Sequence, residues 1–363
     1  WSQLDGLMKE YIITALALVL LGSLFYFALV SKVEAPQEEI SIYSQLSLRD
    51  KAGQMLLIGF EGTKVTPELT SLIEEIHPGG VLLLGRNIDN EAQVQEMVQE
   101  LQELSIEQTG LPLFVAVDQE GGIVSRFPWV ESTPQSELRD IDHAYSVGSK
   151  RAKELLNLGV NMNLAPVLDS RGVNDFVYQR FFQKDVVVSS LIAKALMAGH
   201  EEQGVVSVLK HFPGYDNVSF NPEIDIIPRV DTTPDISLFY MVSPLDVVMV
   251  SHVVYEDIDE VNPYPLSISG MRTARTAFGE STVIMSDDLL SKAFMKVYSL
   301  EEIGRMSVLS GVDVLLVAGY PEASTVRSFA NQLLNAVVED IELQTHVEES
   351  AERIVKLKGA IVQ

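Results

Sequence analysis

From about Tyr43 onward, short and almost purely apolar runs alternate with longer amphipathic stretches. The apolar runs, in order, are "GQMLLIGF", "GGVLLLG", "LPLFVAVD", "GVNMNLAPVLD", "VVSVLKH", "DVVMVSHVVY", "STVIMSDD" and "VDVLLVAG". A strand buried on one face alternates apolar with polar residues, whereas one buried on both faces reads as a continuous apolar run. Strands of the second kind separated by helices point to repeated βα units around a parallel sheet. The intervening stretches carry helix punctuation. "TPELTSLIEEI" opens on a capping Thr, and "SLEEIGRMSVLSG" has a capping Ser, early acids and a terminal Gly. From Thr325 to Lys358 the pattern is helical again. Eight such runs predict an α/β fold closed into a (β/α)8 TIM-like barrel. An open doubly wound sheet would usually show fewer strands and a Gly-rich phosphate turn, and no G-x-G-x-x-G follows the first run.

Ahead of the barrel, no charged residue occurs between Tyr11 and Val30. About 20 helical residues rising about 1.5 Å each would cross roughly 30 Å of hydrocarbon, so this segment is expected to be a single transmembrane helix. A cleaved signal peptide would have a shorter apolar core and a small-x-small cleavage site, which "FYFALVSK" does not supply, and a retained anchor is the expectation. Lys9 and Lys32 flank the span almost symmetrically, so the positive-inside comparison gives no clear orientation. The expected organisation is an anchor over residues 1–31, a Pro-containing linker over 32–43, and the barrel over 44–363.

Charge narrows the function classes. A formal net charge of -25 over 363 residues argues against nucleic acid as a partner, which requires clustered Lys and Arg. Cysteine is absent, so neither disulfides nor thiolate chemistry is available. The six histidines show neither H-x₃-H nor H-E-x-x-H spacing, and neither a metal nor a dinucleotide cofactor is expected.

Barrel active sites sit at the C-terminal ends of the strands, so polar residues that follow each apolar run are the candidates. The third run ends in Asp118-Gln119-Glu120-Gly121-Gly122 and reaches Arg126. The fourth ends in Asp169, with Arg180 in the next loop. The fifth ends in Lys210-His211, the sixth carries His252, and the seventh ends in Asp287-Asp288. Each member alone has a structural reading. A strand-end Asp such as Asp288 commonly caps the next helix, Lys210 and His211 would make a satisfied pair, and His252 would pack in the core. Their convergence is what points to a pocket for a polyhydroxylated ligand, whose hydroxyls need both donors and acceptors.

At these residues the sequence resembles glycoside hydrolase family 3, in particular its β-N-acetylhexosaminidases. "DQEGGIVSR" looks like the family's D-Q-E-G-G-x-V-x-R, "NLAPVLD" matches its fourth strand, "KHFPG" its fifth, and "IMSDDL" its nucleophile strand. The resemblance implies that Asp118, Arg126, Arg180, Lys210 and His211 bind the sugar and that Asp287 is the nucleophile of a retaining reaction. It also exposes a departure. The family's loop reads like K-H-F-P-G-H-G-D-T-S-V-D-S-H, with an acid/base His and an Asp two residues before it; here "KHFPGYDNVSFNPE" has Glu223 and Asn221 at those positions.

Two readings of that departure follow. Glu223 would serve as general acid if burial raised its pKa towards neutrality; Asp216 and Asp225 are further candidates with less positional support. Alternatively the barrel has lost catalysis and is a sugar-binding or scaffold subunit of a membrane complex. The first reading implies a membrane-anchored hydrolase acting on GlcNAc-containing glycans or peptidoglycan fragments. A wall substrate would favour a globular domain on the outer, periplasmic or extracellular face.

Overall fold

All eight apolar runs supply a strand to one parallel sheet. The computed structural model describes residues 42–169, 172–224, 226–319 and 323–361, and the chain divides into two units, Trp1–Ser44 and Gln45–Gln363. The expected membrane span over 11–30 lies outside the described residues. Among the described residues, no helix is long and apolar enough to cross a membrane.

The barrel strands are β1 (Leu56–Ile58), β2 (Gly80–Leu83), β3 (Phe114–Val117), β4 (Met162–Asn163), β5 (Val206–Phe212), β6 (Val247–Val250), β7 (Val283–Ser286) and β8 (Leu315–Val317). The helix after each is α1 (Pro67–Ile76), α2 (Glu91–Thr109), α3 (Ile141–Asn157), α4 (Val186–Glu202), α5 (Ser237–Val242), α6 (Ile268–Phe278), α7 (Leu300–Ser310) and α8 (Ala323–Glu339). The strand order is β7-β6-β5-β4-β3-β2-β1-β8, and every neighbouring pair is parallel. A single parallel bridge between Met285 and Val314 joins the two ends, so the sheet is a nearly closed, TIM-like barrel. Strand side chains from Leu57, Val81, Val115, Val208, Val248 and Ile284 are buried in its core.

Helix boundaries follow the caps read from sequence. The Thr66 hydroxyl accepts the Leu69 N–H at the start of α1. Ser299 and Glu302 form a reciprocal capping box on α7, which Gly311 ends in the left-handed conformation. Two expectations need correction. The fourth run contributes only a two-residue strand, because Pro166 has no N–H for a ladder and the Asn163 side chain takes over the pairing. Its amide donates to the Gln119 carbonyl and accepts the Gln119 N–H, both at 3.0 Å. The C-terminal helical stretch is two helices, α8 and α9 (Ile341–Ile361), divided at Asp340, whose carboxylate accepts the Glu342 N–H.

The last helix seals the base of the barrel with a polar group. Lys358 is buried, donates from Nζ to Gln54 Oε1 at 2.7 Å and lies 5.1 Å from the centre of the Phe114 ring. At the opposite, C-terminal end of the strands, loops rise to form the candidate site.

Candidate active site

A cavity of about 610 Å³ opens at the C-terminal ends of the strands, where barrel active sites lie. Asp118, Arg126, Arg180, Lys210, His211, Glu223 and Asp287 all line it, so the residues picked out by sequence come together in one place.

Cations and carboxylates on its floor are paired rather than loose. Lys210 Nζ lies 2.7 Å from Asp118 Oδ1 and 2.7 Å from Glu120 Oε1. Arg180 grips Glu120 with two bonds, Nε to Oε2 at 2.9 Å and Nη2 to Oε1 at 2.7 Å. Arg126 Nη2 donates to Asp118 Oδ2 at 3.1 Å, and its buried Nε has no hydrogen-bond partner among the described residues. Burial alone would push the Asp118 and Glu120 carboxyls up. The Lys210, Arg126 and Arg180 charges outweigh it at Asp118, as Arg180 and Lys210 do at Glu120, and both stay below the usual carboxylate range. Ionised groups of both signs, with donors and acceptors fixed in place, suit a ligand covered in hydroxyls.

The third-strand loop that carries two of these acids is held from behind. Arg151 of α3 is wholly buried and donates to the carbonyls of Glu120 (3.0 Å), Glu131 (3.2 Å) and Thr133 (2.9 Å). Gly121 has φ +93°, and a Cβ there would lie 2.1 Å from the Thr133 carbonyl oxygen, so only glycine fits the turn.

Asp287 follows β7 directly, and both of its oxygens receive donors. The Asp288 N–H reaches Oδ1 at 2.9 Å, and the Tyr215 hydroxyl donates to Oδ2 at 3.0 Å. Burial opposes ionisation of Asp287, but the imidazoles of His252 and His211, the Asp288 N–H and the Lys210 ammonium outweigh it and hold its carboxyl below the usual range. Burial pushes the His252 imidazole below its own ordinary value, so the charge of that ring contributes little at neutral pH. Asp288 turns the other way. Its Oδ1 accepts the N–H groups of Leu290 and Ala318, both at 3.1 Å, tying the end of β7 to the end of β8, and burial raises its pKa to about 6. It caps no helix, since Ser291 caps the short turn that follows.

Glu223 presents the opposite electrostatics. Burial, with the nearby charges of Asp287, Asp288 and Asp118, raises its pKa to about 8 against the opposing pull of Arg180. It is thus mostly protonated at neutral pH beside an ionised Asp287. Its loop is locally fixed: the Asn221 side chain accepts the Glu223 N–H at 2.9 Å, and the Glu223 carbonyl accepts the Ala293 N–H at 3.2 Å.

Not every candidate reaches the cavity. Asp169 lies behind it and accepts both the backbone N–H (2.6 Å) and Nδ1 (2.8 Å) of His211, fixing that ring. His252 is buried with its ring 4.6 Å from that of Phe294, as a packed histidine would be. Asp216 is not among the lining residues, and Asp225 lies outside the described residues. Glu61, Arg86, Glu120 and Tyr215 are among the lining residues given no role from sequence. Glu120 sits inside a quoted motif and could have been found by asking what neutralises Arg180 and Lys210. Tyr215 carries no charge, and no sequence signal marked it.

Comparison with known proteins agrees with this geometry. Residues 47–357 match the model of the Glycosyl hydrolase family 3 N terminal domain. A beta-hexosaminidase of Alkalilimnicola ehrlichii is 30% identical over 292 residues, covering 74% of this chain and 81% of the relative. One of Xylella fastidiosa is 31% identical over 306 residues, covering 78% and 87%. The crystal structure of a beta-N-acetylhexosaminidase from Beutenbergia cavernae shares 25% identity at a TM-score of 0.79, covering 87% of this chain and 99% of that one. A glycoside hydrolase family 3 beta-N-acetylglucosaminidase from Paenibacillus shares 26% identity at a TM-score of 0.78, covering 88% of this chain and 64% of that one.

Proposed function

Because this chain belongs to glycosyl hydrolase family 3, we propose that it is a retaining β-N-acetylhexosaminidase acting on GlcNAc-containing glycans or peptidoglycan fragments. The observation that carries the proposal is the opposite bias of two carboxyls lining one cavity, Asp287 held low and Glu223 raised to about 8. A retaining glycosidase needs this division of protons, an ionised nucleophile and a neutral acid at the same pH.

In the first step, the Glu223 carboxylic acid gives its proton to the glycosidic oxygen. The anomeric C–O bond breaks, and an Asp287 oxygen bonds to the anomeric carbon, leaving a glycosyl ester and a Glu223 carboxylate. Esterification removes the Asp287 charge that had helped to raise Glu223, and the group becomes a carboxylate suited to act as base. In the second step, Glu223 takes a proton from water, the water oxygen bonds to the anomeric carbon, and Asp287 leaves as a carboxylate. Asp118, Arg126, Arg180, Lys210 and His211 hold the sugar hydroxyls, with the unpaired Arg126 Nε as an available donor. The reading extends to a membrane anchor over residues 11–30 with the barrel on the outer face, supported by the uncharged stretch in the sequence alone.

The test is hydrolysis of an aryl β-N-acetylglucosaminide by residues 43–363 and by its Asp287→Ala variant. The expected result is steady turnover with retained anomeric configuration, lost by more than about 10³-fold in Asp287→Ala. If the folded wild-type protein is no faster than Asp287→Ala, the enzyme reading is wrong and a sugar-binding or assembly role takes its place.

A further inference from the structure

We propose that Tyr215 is a positioning residue for the nucleophile, holding the Asp287 carboxylate in one plane through its phenolic hydroxyl. The proposal rests on Asp287 being the nucleophile, and its geometry is independent of any ligand. A tyrosine hydroxyl has one proton and two acceptor lone pairs. Here it accepts the backbone N–H of His252 at 3.1 Å and lies 3.0 Å from Asp287 Oδ2. The His252 N–H can only donate and an ionised carboxylate can only accept, so the phenolic proton points to Asp287. Burial and the Asp287 charge keep the phenol protonated at every working pH, since both raise its pKa well above the ordinary value.

The ring that carries this hydroxyl is itself fixed. It is almost fully buried and packs edge-on against His211, with centroids 4.9 Å apart, and Asp169 holds His211 by two hydrogen bonds. At the other oxygen, the Asp288 N–H closes the grip. With a donor on each oxygen, rotation of the carboxylate about its terminal bond breaks at least one hydrogen bond. Freed from Tyr215, the group would keep the Asp288 N–H but lose its fixed plane, and reacting atoms held out of line by even an ångström can cost about a hundredfold in rate. At the corresponding position in the motif that this loop resembles stands a histidine, so the tyrosine accompanies the exchange of the acid/base pair six and eight residues further on.

The experiment titrates Asp287 directly and also follows activity. Protein labelled with ¹³C at the aspartate carboxyls is titrated as wild type and as Tyr215→Phe, with the Asp287 signal assigned by its loss in Asp287→Asn. The other groups facing this carboxylate, His211, His252, Lys210, Asp288 and Glu223, are the same in both proteins. Removing a hydrogen bond to an ionised group therefore raises the Asp287 pKa by about one unit or more. On an aryl substrate, the acid limb of kcat/KM moves up by the same amount, and the plateau falls about tenfold to a hundredfold while the melting curve stays cooperative. An unmoved Asp287 titration overturns the proposal whether or not the protein turns over substrate, and so does a lower rate with an unmoved acid limb. If Tyr215→Phe does not fold, Tyr215→His replaces it, and its Asp287 titration is read against the same wild-type curve. A wild-type protein with no activity but a Tyr215-dependent titration would sink the enzymatic reading and leave the placement of Asp287 by Tyr215 intact.

Discussion

Replacing Glu223 with Gln tests the acid in isolation. Raising a glutamate from its ordinary 4.5 to about 8 corresponds to roughly 5 kcal/mol of bias towards the protonated form, at about 1.36 kcal/mol per pH unit. Burial is the largest cause, and Asp287 and Asp288 supply the next contributions. The wild-type alkaline limb of kcat/KM should therefore fall near pH 8, set by deprotonation of Glu223, and Glu223→Gln should erase it. On a GlcNAc disaccharide, whose leaving oxygen needs a proton, kcat/KM should drop by about 10² to 10⁴; on a dinitrophenyl glycoside, whose leaving group needs none, it should drop less than about tenfold. Added azide, a nucleophile that needs no base, should restore turnover of the aryl substrate and give the β-glycosyl azide. A stability readout runs in parallel. Between pH 4.5 and 8 the folded protein holds a proton on Glu223 that the unfolded chain has released. The stability this group contributes is thus complete below about 4.5 and lost as pH rises through about 8. Glu223→Gln should accordingly melt higher than wild type at pH 8 and the same at pH 4. A Gln variant that keeps its alkaline limb and cleaves the disaccharide within about threefold of wild type would show that the acid is another group.

Two further outcomes follow from the same electrostatics. Arg180 is the one cation pulling the Glu223 pKa down among its leading influences, so Arg180→Ala should move the alkaline limb above 8 while KM rises, checked by kcat/KM against pH. At the base of the barrel, burial lowers the Lys358 pKa to about 7, so the folded state binds fewer protons than the unfolded state between about 7 and 10.5 and stability rises with pH across that window. Lys358→Met removes that penalty and loses the bond to Gln54. The variant should be about 2 to 4 kcal/mol more stable than wild type at pH 6 and less stable above pH 10.5, measured by denaturant unfolding.

How much of this was legible in sequence depended on the kind of signal each feature leaves. Strands buried on both faces write themselves as continuous apolar runs, so all eight barrel strands could be placed, along with the helix caps at Thr66 and Ser299. The fourth strand was overread because a side chain, that of Asn163, performs backbone pairing there, and no periodicity records that. The division between α8 and α9 was missed for a similar reason, since the apolar stripe runs on through the single residue Asp340. At the site, charged residues after strand ends were visible because barrel topology gathers those positions. Whether they face the cavity or brace it was not visible: Asp169 braces it from behind, and Asp288 both lines it and ties two strand ends together.

Tyr215 and Glu223 show why a motif departure is read best through its surroundings. Taken alone, the exchange of a His and its Asp for Glu223 and Asn221 looks like decay, because a solvated glutamate is a poor acid at neutral pH. The chemistry of the substitution is set by what the loop packs against. The carboxyls of Asp287, Asp288 and Asp118 would stabilise a cationic imidazolium, and the same charges make a carboxyl hold its proton. One negative field thus supports a charged histidine or a neutral glutamic acid, and each carries the proton that a glycosidic oxygen needs. The exchange therefore keeps a proton at this position while lowering the charge by one unit, so that an anion rather than a neutral ring remains after the proton has been given. On the proposed mechanism, Glu223 in that second state is an anion facing an esterified, uncharged Asp287. A water molecule is then the acceptor that meets least opposition.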